Sequence, residues 1–133
     1  MATIRSYTSL EQSRKLAEIL LLESADMVYI KHATSSNPDW RFDDDMPPMI
    51  LRKTSIKDMT VEVLPCWSLS ALLDVLPDNY IDVDDIIKHP SLMKTKGNHY
   101  MVIYSAFQYT SLYNNPVDAC VAMIEKLHEL NLL

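Results

Sequence analysis

The 133-residue chain contains one glycine, Gly97, and this scarcity limits what it can fold into. A chain of this length and average composition would contain about nine glycines. Loops that cradle phosphate groups need several, for tight turns and for close approach of the backbone to the ligand. The sequence therefore excludes Rossmann-type and P-loop nucleotide sites. Hairpin turns in such a chain must be built mainly from Asn, Asp, Pro and Ser.

The position of the glycine predicts a hairpin turn. Residues 96–98, Lys-Gly-Asn, precede residues 99–104, whose β-branched and aromatic side chains favour a strand. We expect Gly97 to adopt a positive φ in a tight turn. A second clear strand is predicted at residues 27–32. Shorter strands are predicted at 49–52, 59–64 and 80–83, with a turn of helix over 84–89 as an alternative, and tight turns between consecutive strands imply antiparallel pairing.

Three segments have helical spacing. A capping-box pattern, formed by either Thr8 and Glu11 or Ser9 and Gln12, predicts a helix over residues 10–22. Leucines at helical spacing between a Ser68 cap and Pro77 predict a short, deeply buried helix in the middle of the chain. Asn115 as cap and Pro116 at the first helical position predict the last helix. Its apolar stripe comprises Val117, Cys120, Val121, Ile124, Leu127 and Leu130, and Asn131 is a C-terminal cap.

These elements predict an α+β fold in which about three helices cover a four- to five-stranded, mainly antiparallel sheet. The length suits one globular domain over residues 1–133. No apolar run approaches the ~18 residues of a membrane helix, and the first residues lack the apolar core of a secretory signal. Two widely separated cysteines indicate reduced thiols. We therefore expect a cytoplasmic protein without membrane contact.

The net charge of −6 bears on the partners that the protein can bind. Nucleic-acid binding depends on neutralising phosphates, so an acidic chain without a basic patch argues against it. No histidine or cysteine spacing matches a metal site. Two acidic groups, residues 43–45 and 82–85, lack the spacing, glycine and glutamate of a calcium loop. The sequence thus predicts neither a metal nor a cofactor.

Cys66 is the strongest candidate for covalent chemistry. It lies two residues before the predicted Ser68 cap, where a helix N-terminus would favour a thiolate, and His32 or His99 could act as a base. The competing interpretation is a small buried side chain, because free cysteine is among the most buried residue types. No family motif surrounds Cys66. The sequence therefore favours the structural interpretation.

The two tryptophans have different sequence surroundings. Trp67 adjoins the central helix and is predicted to be a core anchor whose indole N–H finds a partner. Trp40 lies with Phe42 in residues 33–48, a stretch without periodicity that is long for a compact domain. These two aromatics could cover the core as a lid or form a contact surface. Trp40, Phe42, Cys66 and Trp67 are the candidate binding residues.

Three blocks carry a resemblance to a known group. They are residues 9–29, which begin Ser-Leu-Glu-Gln, residues 65–77, and residues 113–133, which begin Tyr-Asn-Asn-Pro-Val-Asp-Ala-Cys. The chain resembles small uncharacterised proteins of bacterial prophages and related mobile elements in gut anaerobes. The resemblance covers roughly half of the chain. It implies a bacterial cytoplasmic setting and carries over no catalytic or binding residue.

Three functions are consistent with these observations. The first is a non-enzymatic accessory module of a phage or mobile element that works through protein–protein contacts, with another protein or with a second copy in a homodimer. Eight methionines, which suit adaptable apolar surfaces, favour it. The second is a small-molecule or peptide receptor with residues 33–48 as lid. The third is a cysteine-dependent enzyme using Cys66.

Overall fold

A computed structural model describes residues 6–32, 41–43, 61–78, 80–81, 87–105 and 108–133. The chain divides into two compact units. The N-terminal unit comprises Tyr7–Ala71, and the C-terminal unit comprises Met1–Ser6 together with Leu72–Leu133. No helix among the described residues combines the length and the apolar character that a membrane crossing requires.

The N-terminal unit is built on a three-stranded antiparallel sheet. Its central strand, β1 (Met27–His32), pairs with β2 (Arg41–Asp43) on one side and with β3 (Val61–Cys66) on the other. Helix α1 (Leu10–Ala17) packs against β3, and a short 3₁₀ helix (Leu22–Ser24) leads into β1. The predicted strand over residues 27–32 is confirmed. The predicted strand over 59–64 is confirmed in part, because β3 begins and ends two residues later.

Helix α1 begins as predicted and ends early. Ser9 is its N-cap, with Ser9 and Gln12 forming the capping box; the alternative box at Thr8 does not form. The prediction of a helix to residue 22 was wrong. The chain leaves the helix after Ala17, and Leu21, which the pattern placed on the apolar face, is 77% exposed. Residues beyond this early end make polar contacts within the same unit, through the Leu21 carbonyl, the Ser24 hydroxyl and the Asp26 carboxylate.

Strand β2 lies inside the stretch predicted to be structureless. Three residues of 33–48 form this strand, and Phe42 pairs in register with Tyr29. The prediction failed here because β1 otherwise presents unpaired backbone groups along one edge, and those groups favour pairing with any nearby extended segment. Trp40 and the predicted strand over 49–52 lie outside the described residues.

Helix α2 (Leu69–Val75) follows β3, and the division between the two units falls within it. Ser68 caps it as predicted, since its hydroxyl accepts the backbone N–H of Ala71 at 3.1 Å. Leu72 and Leu76 are fully buried. Leu73 is exposed, so the prediction of a deeply buried helix is confirmed for one side of α2 only, and the other side faces solvent.

The described residues of the C-terminal unit form two small antiparallel sheets. Strands β4 (Tyr80–Ile81) and β5 (Ile87–Lys88) pair with each other. Strand β7 (His99–Ser105) is the centre of a separate sheet between β6 (Ser91–Thr95) and β8 (Gln108–Tyr109). We refer to β6, β7 and β8 as the β7 sheet. The predicted strand over 80–83 is confirmed for its first two residues, and residues 87 and 88 are strand rather than helix.

The glycine turn is confirmed. Gly97 has φ of 86° and Asn98 has φ of 59°, both in the left-handed region, and they join β6 to β7. A side chain at position 97 would be strained by this φ and would lie 3.4 Å from the imidazole Nδ1 of His99. Strand β6 itself, on the other side of this turn, was not predicted.

The last helix, α3 (Pro116–Glu129), packs on β7. Asn115 caps it by accepting the N–H of Val117 at 2.8 Å, as predicted. At its C-terminus Asn131 has φ of 57°, and the N–H groups of Asn131 and Leu132 bond the carbonyls of His128 and Leu127 in a Schellman arrangement. The predicted stripe is buried except for Leu130, which lies beyond the last helical residue.

The predicted α+β class and antiparallel pairing are confirmed, and the described residues contain three α-helices. One sheet of four or five strands is not confirmed, since the described strands form three separate sheets. Tight turns indicate which neighbouring strands pair, but they do not determine whether separate pairs join into one sheet. A single domain over residues 1–133 stays a prediction.

Candidate functional site

The first candidate is the cluster of polar groups around Cys66 in the N-terminal unit. Thr8, just before α1, lies at its centre and is completely buried. The Thr8 hydroxyl Oγ1 accepts the backbone N–H of Trp67 at 3.1 Å, lies 2.8 Å from the hydroxyl Oγ of Ser13, and donates to the Cys66 sulfur at 3.5 Å. With Ser13 donating to it, one hydroxyl uses its donor and both of its acceptor positions.

The backbone of Thr8 is equally saturated. Its N–H donates to the carbonyl of Trp67 at 3.0 Å. Its carbonyl accepts the Tyr29 hydroxyl at 2.7 Å and the Cys66 thiol at 3.6 Å, which occupies both lone pairs. One residue thus connects the start of α1, β1 and the end of β3. The sequence pattern indicated Thr8 only as a possible helix cap, so this role was not predicted.

Cys66 is 0% exposed in this cluster. Burial raises the pKa of its thiol; the hydrogen bonds from Thr8, Ser13 and Tyr29 oppose the rise, and the negative charge of Asp26 adds to it. A nucleophilic cysteine needs the opposite, a lowered pKa and access for a substrate. Of the two histidines suggested as a base, His32 pairs with Val61 while Cys66 pairs with Met27, five residues away along β1. That spacing is roughly 17 Å of strand.

Trp67 is also completely buried. Its indole Nε1 donates to the Ser24 hydroxyl at 2.9 Å, and that hydroxyl donates in turn to the carbonyl of Leu21 at 2.6 Å. The prediction of a core anchor with a satisfied indole N–H is therefore confirmed. Beside it, Asp26 accepts both the N–H and the hydroxyl of Ser68. In this conformation neither Trp67 nor Cys66 presents surface to a partner.

The second candidate is the outer edge of strand β6 in the C-terminal unit. On the far side of β7, the N–H and carbonyl of Tyr100 both bond Tyr113, and those of Val102 bond Thr110. Backbone groups alternate in direction along a strand, so those of residues 99, 101 and 103 are directed at β6. Their partners on β6 are Thr95, Met93 and Ser91. The N–H and carbonyl groups of Leu92 and Lys94 are consequently directed away from the sheet.

Apolar side chains accompany this edge on one face of the β7 sheet. Met93 pairs with Met101, and Ile103 pairs with Tyr109, so all four project on the same face. Met93 is 45% exposed and Tyr109 is 50% exposed, while Met101 and Ile103 are half-buried. We call these four residues the methionine face. The alternate residues of β7, Val102 and Tyr104, are buried on the other face.

The Lys126 side chain on α3 completes one end of this surface. Its ammonium Nζ donates to the Tyr109 carbonyl at 3.0 Å and lies 5.7 Å from the centroid of the Tyr109 ring. These contacts hold the two-residue strand β8 against α3. No group of three or more His, Cys, Asp or Glu residues that could hold a metal ion occurs in the part of the chain that the structure describes.

The structure places the four sequence-predicted binding residues in different situations. Trp40 lies outside the described residues, and the backbone of Phe42 lies in β2. Cys66 and Trp67 belong to the buried cluster. The exposed β6 edge and the methionine face were missed, although a hairpin turn at Gly97 implies a strand on both of its sides. That implication was the signal that could have found them.

No family model, curated protein or solved structure matches the chain.

Proposed function

We propose that the protein is a non-enzymatic interaction module that acts through protein–protein contacts made by the β6 edge and the methionine face. The single observation that carries this proposal is the exposure of Met93 on a strand where Leu92 and Lys94 direct outward backbone groups that have no partner among the described residues. An edge of this kind is a template for a further strand. Exposed methionine adds an adaptable apolar contact beside it.

The cluster around Cys66 supports the non-enzymatic part of the proposal. Burial and a raised pKa keep the thiol neutral, and its hydrogen bonds are made within the protein. A receptor with residues 33–48 as lid stays a prediction, because most of those residues lie outside the described ranges. The setting that we propose, an accessory protein of a phage or mobile element in a bacterial cytoplasm, is supported by the resemblance of the three sequence blocks.

Site-specific photocrosslinking tests the proposed function. A benzoylphenylalanine at position 93 is compared, in the cells from which the protein comes, with the same residue at position 21. Leu21 is the matched control because it is an exposed apolar residue in the other unit. We expect a discrete crosslinked adduct from position 93 and none from position 21. The absence of an adduct at position 93, or equal adducts at both positions, would contradict the proposal.

A further inference from the structure

The charge of the β7 sheet differs in sign from that of the whole chain. Residues 86–117 contain Lys88, Lys94 and Lys96 and no aspartate or glutamate, in a chain whose net charge is −6. Lys94 and Lys96 are exposed, and neither forms an ion pair with another described residue. The β6 edge thus carries two exposed positive charges at its turn end, next to the outward backbone groups of Leu92 and Lys94.

We infer that the occupant of the β6 edge is an extended, acidic segment of a partner protein, which adds to the β7 sheet as a fourth strand. This inference rests on the proposed function and names the partner's chemistry. The residue opposite Lys94 is acidic, because opposite charges on directly facing residues stabilise a strand pair. The residue opposite Met93 is apolar, because it shares the methionine face. Acidic and apolar residues therefore alternate in the occupant, with the period of a strand.

A second copy of this chain could hydrogen-bond the outward backbone groups of β6 equally well, but it would not neutralise the lysine charges. An antiparallel pairing centred on Met93 would join Leu92 of each copy to Lys94 of the other and would use all of the outward groups. It would also place two positively charged sheets side by side, which costs free energy at an open edge. An acidic strand gains the same backbone hydrogen bonds and neutralises Lys94 and Lys96 as well.

Nucleic acid fits the edge poorly. Single-stranded binding surfaces combine a basic groove that follows the phosphates with aromatic side chains on which bases stack. Here the described exposed cations near the edge are two lysines at one end, and the exposed aromatic ring, Tyr109, lies across the sheet on β8 under Lys126. The main recognition element is a row of backbone donors and acceptors, which a peptide strand matches and a sugar–phosphate backbone does not.

Two peptide probes of equal length test the inference. One is a fluorescein-labelled (Glu-Val)₄ peptide and the other is (Lys-Val)₄, which has the same apolar residues and the opposite charge. We expect (Glu-Val)₄ to bind the full-length protein at least about tenfold more tightly in fluorescence anisotropy. The K94E/K96E variant should reverse this preference, and circular dichroism confirms that it folds. Binding of (Glu-Val)₄ should slow amide hydrogen exchange at Leu92 and Lys94.

A (Glu-Val)₄ peptide that is N-methylated at alternate residues controls for the backbone contribution and should bind at least about tenfold more weakly. Equal binding of both charged peptides, an unchanged preference in K94E/K96E, or protection away from β6 would overturn the inference. So would tighter binding of a thymidine oligonucleotide, or a dimer in light scattering that Met93→Lys dissociates. A position-93 crosslink without acidic-peptide binding would refute only this partner, whereas loss of both would refute the proposed function too.

Discussion

The two units of the chain use their polar groups in opposite ways. In the N-terminal unit, the central polar groups face inward. Thr8 alone hydrogen-bonds backbone or side-chain groups of four other residues, and Cys66, one of them, is completely buried. In the C-terminal unit, the apolar stripe of α3 packs on β7, and the outward backbone groups of Leu92 and Lys94 meet no partner among the described residues. Within the described residues, the N-terminal unit therefore satisfies its central polar groups internally, whereas the C-terminal unit has a strand edge with outward backbone groups.

The largest expected effect on stability comes from removing the Thr8 hydroxyl. Thr8→Val leaves the Trp67 N–H and the Ser13 hydroxyl buried without their partner, and we expect a loss of about 3 kcal/mol in the free energy of unfolding. The matched variant in the other unit is Thr110→Val, whose hydroxyl accepts the Val102 N–H at 3.0 Å. We expect a loss of about 1.5 kcal/mol there, because fewer groups depend on it.

Urea unfolding of both variants measures this difference. Thr8→Ser is the control for the missing methyl group, and it should cost only about 1 kcal/mol because it keeps the hydroxyl. Equal losses for Thr8→Val and Thr110→Val would show that the Thr8 hydroxyl contributes no more to the free energy of unfolding than the Thr110 hydroxyl does.

The next effect compares the two buried cysteines. Cys120→Ser introduces a hydroxyl at a position that is fully buried on α3, and no polar partner for Cys120 is found among the described residues. We expect it to cost about 2 kcal/mol. Cys66→Ser should cost less than about 1 kcal/mol, since Thr8 can bond a hydroxyl as it bonds the thiol. Thermal unfolding of the two variants checks this order, and the reverse order would contradict the described environments.

Alkaline pH should destabilise the C-terminal unit through Cys120. Burial raises the pKa of this thiol from 9.0 to about 12, so folding disfavours the thiolate. The stabilising contribution is complete below pH 9 and is lost as the pH rises from 9 toward 12. At pH 10 the loss is about 1.4 kcal/mol. We expect Cys120→Ala to be less sensitive than the unmodified protein between pH 8 and 10, and identical pH profiles would refute this assignment.

Tyr104 contributes in the same direction at higher pH. Its hydroxyl donates to the carbonyl of Pro77 at 2.8 Å, and burial, with the negative charge of Asp78, raises its pKa from 10.0 to about 12. Its contribution is therefore complete below pH 10 and is lost between 10 and 12. Measurements of Cys120→Ala below pH 10 separate the two groups.

The smallest expected effect lies at the turn that builds the β6 edge. Gly97→Ala places a side chain at φ of 86°, and we expect it to cost about 1 kcal/mol. Asn98→Ala, at φ of 59°, is the matched variant. It should cost less than Gly97→Val, because a β-branched residue adopts a positive φ least readily. Both are measured by urea unfolding. If Gly97→Ala instead raises the stability, the turn does not require the left-handed conformation.

Local rules made several elements predictable. The Ser9 and Gln12 box, the Ser68 and Asn115 caps and the Gly97 turn depend on neighbours within three residues, so the sequence contains all of the information. Trp67 could be predicted as a core residue because a large aromatic side chain next to a buried helix packs against that helix. Strand β2 was not, because its pairing with β1 depends on a strand edge that is made available only by the fold.

The same limit applies to the two candidate sites. The Thr8 cluster joins residues 58 positions apart, and no spacing rule reaches that far. Strand β6 could have been predicted, since a hairpin turn at Gly97 requires a strand on each side, but only the strand after the turn was identified. The direction of the Leu92 and Lys94 backbone groups follows from the hydrogen bonds on the far side of β7, which only the structure supplies.

Residue-resolved amide hydrogen exchange of the isolated protein tests the central claim most directly. We predict that the amides of Leu92 and Lys94 exchange rapidly and that those of Met93 and Thr95, which face β7, exchange at least about tenfold more slowly. The amides of Thr8 and Trp67 should be among the slowest in the N-terminal unit. Strong protection of Leu92 and Lys94, equal to that of Met93, would show that the β6 edge is already covered and would contradict the account.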